Sequence, residues 1–128
     1  MGLGEEELFL DLKASGAAEG IEVLFPPPSY FTAYVDGAEI ADKAGLMDAL
    51  AAAFRFPAYF GKNWDALLDC LRSLPDELPA KGYVLAVRNS GAFLAASPKD
   101  LADFTAVAGE AASFLKEKFK AVFVVVLL

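Results

Sequence analysis

From Tyr30 onward, short apolar runs alternate with longer segments whose apolar residues recur every three or four positions, and turn formers separate the two kinds. Residues 30–35 are aromatic and β-branched and stop at the turn pair Asp36-Gly37, which predicts a strand. Leu46, Leu50, Ala53 and Phe54 follow Asp42, a good helix N-cap, at helical spacing up to the stop at Phe56-Pro57. Trp64, Leu67 and Leu71 fall at i, i+3 and i+7 behind a second capping residue, Asn63. A helix is therefore predicted from there to about Ser73, with Leu68 and Cys70 flanking its apolar stripe. Residues 83–87 are apolar on both faces, as a buried central strand is. Asn89 or Ser90 can cap a short helix over residues 92–96. Ser97-Pro98-Lys99-Asp100 joins an N-cap serine, a proline at the first helical position and an acid at the capping-box position. Leu101, Phe104, Ala108, Ala111 and Leu115 then form one apolar face of a helix reaching about Lys118, and residues 122–127 make a buried last strand.

The remaining segments are less regular. Residues 5–14 predict a short helix with Leu8, Leu12 and Phe9 on one side, and residues 21–25 alternate like an added edge strand. Pro26-Pro27-Pro28 breaks any pairing and reads as a stiff connector rather than as a polyproline II recognition segment. Residues 1–28 are accordingly taken as an N-terminal extension and residues 29–128 as the domain. Residues 75–79 form a turn-rich link whose acids, Asp76 and Glu77, read as a solvated loop rather than as the rim of the surface the second helix presents. Connections this long suit crossovers and not hairpins. The expected fold class is α/β, a small three-stranded parallel sheet with about four packed helices.

Composition narrows the function. At 128 residues and 56% hydrophobic, the chain is long and apolar enough for one domain with its own core. A net charge of −7 speaks against a nucleic-acid partner, which calls for a basic footprint, and suits solubility or a basic protein partner. Cys70 is the single cysteine and there is no histidine, so no intramolecular disulfide forms, in keeping with a reducing cytoplasm. Without a histidine base, Cys70 reads as packing and not as a nucleophile. The acidic first residues lack a signal peptide's basic start, and the longest apolar run, residues 121–128, is far short of the ~20 needed to span a bilayer. A cytoplasmic location without membrane association is expected. No metal-binding loop or phosphate-cradling motif occurs, so no metal and no cofactor is expected.

Asp65 and Asp69, four residues apart, stack on one side of the second predicted helix. Such a pair repels by about 0.2–0.5 kcal/mol in an isolated helix. Asp65 suits the positive end of the helix dipole; Asp69 does not, although Arg72 stands where it could pair with it. As a general acid and base the two would sit on successive turns, only about 6 Å apart in rise, and nothing in the sequence supplies an apolar pocket to raise one pKa. An enzyme is therefore not expected.

The run Phe56-Pro57, Tyr59-Phe60-Gly61, Asn63, Asp65-Ala66-Leu67 and Asp69-Cys70-Leu71 resembles the signature of the barstar family, small intracellular inhibitors of barnase-type secreted ribonucleases. The likeness is dense there and looser from about Tyr30 to Leu128. It implies the same small parallel fold, and a loop and helix that plug the ribonuclease active site with carboxylates in place of RNA phosphates. By position, it implies a partner-binding set of Tyr59, Gly61, Asn63, Trp64, Asp65, Leu68 and Asp69; the family's further acidic contact on the last helix falls at Lys116 or Glu117, and Glu117 is carried over as the weaker match. Asp65 and Asp69 are the anionic plugs and Tyr59 an aromatic anchor. Three positions depart from the family pattern: Lys62 replaces a glutamate, Leu68 a tryptophan and Trp64 a leucine, so a large aromatic has moved and a cation enters the acidic patch. The expected function is non-enzymatic inhibition of a basic ribonuclease by a protein that is monomeric when free. The alternatives are a module of the same fold for another basic protein or non-ribonuclease toxin and, more distantly, an enzyme using Asp65 and Asp69.

Overall fold

The computed structural model describes residues 8–12 and 20–128. In chain order these hold β1 (Phe9–Asp11), α1 (Ile21–Leu24), β2 (Tyr30–Asp36), α2 (Lys43–Ala53), α3 (Trp64–Arg72), α4 (Leu74–Glu77), β3 (Gly82–Arg88), α5 (Pro98–Phe119) and β4 (Val122–Leu127), with 3-10 turns at Gly37–Glu39 and Ser90–Ala92. The strands make one parallel sheet in the order β1-β4-β3-β2.

Four strands, not three, form the sheet, because residues expected in an N-terminal helix pair with β4: Phe9 stands opposite Val125 and Asp11 opposite Leu127. The ends of the segment expected to be that helix, residues 5–7 and 13–14, lie outside the described residues. Its middle extends because its side chains serve both sides of the sheet. Leu8 and Phe9 join the main core, whereas Leu10 and Leu12 join the opposite face. A helix could not divide them so. Residues 21–25 depart from expectation in the other direction. They form a one-turn helix and not an edge strand, and Ile21 and Phe25, four apart, meet the sheet while Val23 and Leu24 are exposed.

The main core lies between one face of the sheet and α2, α3 and α5. Ala33, Val35, Tyr83, Leu85, Val87, Phe123 and Val125 point into it from the strands. The helices answer with Leu46, Met47 and Leu50, with Leu67 and Leu71, and with Phe104, Ala108, Ala111 and Leu115. The alternate residues Val84, Ala86, Val124 and Val126 face a smaller cluster with Ile21, which is why β3 is buried on both faces. Asp42 caps α2 by accepting from the Gly45 N–H at 3.0 Å. At α5 the capping box is rewired: the Ser97 hydroxyl donates to Asp100 Oδ2 at 2.8 Å, and the same oxygen accepts the Lys43 N–H at 2.9 Å, tying the start of α5 to the start of α2. The link at residues 75–79 is partly the single turn α4, held by buried Leu74, and the expected helix over 92–96 is replaced by the 3-10 turn and by irregular turns that bury Phe93 and Leu94. Among the described residues, no helix is long and apolar enough to cross a membrane.

Candidate functional site

Two aromatic side chains anchor the loop before α3. Phe60 is buried edge-on against Phe56, their ring centroids 5.0 Å apart, and Phe56 stacks on Phe54 in the core at 6.0 Å. With Phe60 turned inward and its N–H donated to the Pro57 carbonyl, Tyr59 is thrown outward and is 83% exposed. Gly61 and Lys62 complete the bend, Lys62 in the left-handed region at φ 54°. A side chain at Gly61 would put its Cβ 3.3 Å from Asn63 Nδ2, leaving little room for one.

Asn63 is extended, and its Oδ1 accepts the Ala66 N–H at 2.8 Å, so α3 starts at Trp64 as its sequence requires. Leu67 and Leu71 are fully buried, and this fixes the opposite side of the helix, Asp65 and Asp69, toward solvent. Trp64 and Leu68 are half-buried and pack on the main core, and the Lys43 ammonium lies 5.7 Å from the Trp64 ring centroid. The moved tryptophan is thus partly a structural residue.

The neighbouring cations turn away from the two aspartates. Lys62 Nζ pairs with Asp48 of α2 at 3.0 Å. Arg72 does not pair with Asp69: its guanidinium reaches Glu110 of α5 at 2.8 Å and lies 5.2 Å from the Phe114 ring centroid. The packing of α3 along α5 supplies a partner that sequence spacing does not reveal. The side chains of Asp65 and Asp69 make no hydrogen bond or ion pair among the described residues.

Tyr59 and Asp69 line a cleft of about 150 Å³ between the loop and the α3–α4 corner, together with Cys70, Asp76 and Glu77. Burial pushes the Cys70 thiol pKa up, and the carboxylates of Asp69 and Glu77 push it further. Asp76 and Glu77, expected in a solvated link, are held at this cleft by α4. The proline-then-acid order after Ser73 is the helix-start signal that marks them. No hydrogen bond, ion pair or shared cleft among the described residues joins Glu117 to the group. Glu117 is exposed near the end of α5, two turns or about 10 Å past Glu110, among Lys116, Lys118 and Lys120. No cluster of three metal-ligating side chains occurs among the described residues. The arrangement can hold cationic groups with unpaired carboxylates on a rigid helix beside an exposed ring.

Comparison with known proteins points the same way. The family model described as Barstar (barnase inhibitor) matches residues 30–127, from the first residue of β2 to the last of β4 and without β1 or α1. Over 86 residues the chain is 35% identical to the protein named "Putative ribonuclease inhibitor YrdF" of Bacillus subtilis (strain 168), covering 67% of this chain and 90% of that protein.

Proposed function

This chain belongs to the barstar family, and from that premise we propose that it inhibits a basic, secreted ribonuclease of the barnase type by occluding its active site. The observation that carries this reading is the unpaired Asp65 and Asp69 on a capped, core-locked helix, with Tyr59 exposed beside them and Lys62 and Arg72 engaged elsewhere. A ribonuclease presents cationic groups to RNA phosphates. Two carboxylates on a rigid helix occupy those positions with charge-assisted hydrogen bonds, and neither needs to leave an existing ion pair to do so. The net charge of −7 steers the protein toward a basic cleft and raises the association rate at low salt.

In this reading Tyr59 packs on the partner, and Gly61 and Asn63 hold the loop close to it. Trp64 and Leu68 contribute their exposed edges, and Glu117 makes at most a peripheral contact. The protein acts as a cytoplasmic monomer that protects the cell producing the ribonuclease, and residues 1–28 extend the inhibitory domain. Family members act as inhibitors and not as enzymes, and no catalytic role is assigned to Asp65 and Asp69.

The test is inhibition of a panel of barnase-type ribonucleases by the wild type, Asp65→Ala and Asp69→Ala at low and moderate salt. Removing one partner of a buried charge pair costs about 3–5 kcal/mol, and Asp69→Ala is expected to weaken inhibition on that scale. A wild type that inhibits none of the panel removes the ribonuclease reading and leaves another basic protein as the partner.

A further inference from the structure

We propose that the outer edge of β2, with the groove between it and α2, takes an extended segment of a protein partner as an added strand, the segment's cationic side chains reaching the carboxylates along the groove. This surface lies on β2 and α2 and meets the loop before α3 at the Asp48–Lys62 pair, and the proposal does not depend on the ribonuclease reading.

β2 ends the sheet and pairs with β3 alone. Among the described residues, positions 31–35 make no backbone hydrogen bond outside that ladder, so every second N–H and C=O along the edge is available to another strand. Edge strands are ordinarily blunted by shortness, proline, lysine or a bulge. The opposite edge, β1, conforms, being three residues long. β2 runs for seven residues, Tyr-Phe-Thr-Ala-Tyr-Val-Asp, with no proline, no lysine and no charge before Asp36.

Beside this edge α2 carries almost no side chain. Gly45, Ala49, Ala52 and Ala53 recur at helical spacing on the face that borders Tyr34 and Val35, and the space they leave is a groove of about 600 Å³. Alanine suits an exposed helix on propensity alone. Propensity does not place such a face against what is, among the described residues, the longer open strand edge. An added strand points alternate side chains into such a groove while its backbone bonds the edge, the mode by which sheet edges capture extended peptides.

Charge selects the occupant. The charged residues lining the groove, Asp36, Glu39 and Asp48, are all acidic; Lys62 pairs with Asp48 at 3.0 Å and Arg88 lies near Asp36, so among the described residues Glu39 is the carboxylate of the three with no cation at hand. A second copy of this chain would bring the same carboxylates, while its cations beside β2, Arg55 and Arg88, lie over the Phe31 and Tyr34 rings, so like charges would face each other in the groove. A basic segment meets them with opposite sign.

The probe is a fluorescent heptapeptide of alternating lysine and valine, followed by anisotropy with the full-length protein. Saturable binding is expected, with slowed amide exchange confined to residues 31–35. Ala52→Trp, at an exposed position, fills the groove and should weaken binding by about tenfold or more, and Glu39→Lys by several-fold. A peptide with glutamate for lysine, or with a central proline lacking the N–H, should not bind. Absence of saturable binding, equal binding of the proline peptide, or indifference to Ala52→Trp each overturns the proposal. So does a dimer in sedimentation that Ala52→Trp dissociates, which would give the edge to a second copy.

Discussion

The Arg72 guanidinium sits 2.8 Å from the Glu110 carboxylate and 5.2 Å from the Phe114 ring centroid, so the cation nearest Asp69 in sequence belongs to the α3–α5 interface. The pair is partly exposed, and its ionic part contributes only about 0.2–1 kcal/mol. Its effect on the site is larger than its effect on stability. Glu110→Gln releases Arg72, whose position three residues beyond Asp69 then lets it neutralise that carboxylate. The expected outcome is weaker ribonuclease inhibition, more marked at low salt, with a urea midpoint close to wild type. Inhibition unchanged at low salt would show that Arg72 does not reach Asp69.

The cap of α3 gives a second prediction. Asn63 Oδ1 accepts the Ala66 N–H at 2.8 Å, whereas its Nδ2 is a marginal 3.4 Å from the Gly61 carbonyl. Asn63→Ala should therefore cost about 0.5–2 kcal/mol, and Asn63→Asp, which keeps the acceptor, should restore most of it. Urea unfolding of the two variants measures this directly. Equal loss in both would move the weight from the cap to the Gly61 contact.

What the sequence made legible follows from the range of the interactions involved. β2, α2, α3, β3, α5 and β4 were each marked by local periodicity and a capping or turn residue, and their observed bounds lie close to expectation. β1 was not marked. Leu8, Phe9 and Leu12 satisfy helical spacing, and only the free edge of β4, more than a hundred residues later, makes an extended Phe9–Asp11 the better solution. Ile21 and Phe25 fit both a strand and a helix turn, and burial of Ile21 on Val84 and Ala86 decided for the turn. At the site, Asn63 and the i, i+4 aspartates could be placed from spacing. The partners of Lys62 and Arg72, Asp48 and Glu110, come from other helices and could not.

Acid should destabilise the fold through two named carboxylates. The Asn89 amide and the Ala38 N–H hold the Asp36 pKa below the usual carboxylate value, and the Ser97 hydroxyl and Lys43 N–H do the same for Asp100. A group whose pKa is lower folded than unfolded contributes its stability above the unfolded value and loses it as pH falls through the folded one. Both contributions are thus complete at neutral pH and disappear on the acid side of the usual carboxylate range. Urea midpoints followed from about pH 5 to pH 2 should fall more steeply for the wild type than for Asp36→Asn or Asp100→Asn. Parallel curves for all three would remove these two groups from the acid limb.

Cys70 offers a direct reading of whether the cleft is occupied. Its half-buried thiol lines the same cleft as Tyr59 and Asp69, and burial, then Asp69 and Glu77, raises its pKa. The thiolate is the reactive form, so alkylation of the free protein near pH 8 should be slower than that of an exposed cysteine. Asp69→Asn removes one of the two charges that disfavour the thiolate and should speed the reaction, and Glu77→Gln should act in the same direction. Binding of an inhibited ribonuclease over Tyr59 and Asp69 should abolish alkylation altogether. Full protection in the complex, with the faster rate of Asp69→Asn in the free protein, would place the partner on this cleft. Undiminished alkylation in a complex that still inhibits would place the contact elsewhere on α3 and confine the plug to the Asp65 end of the helix.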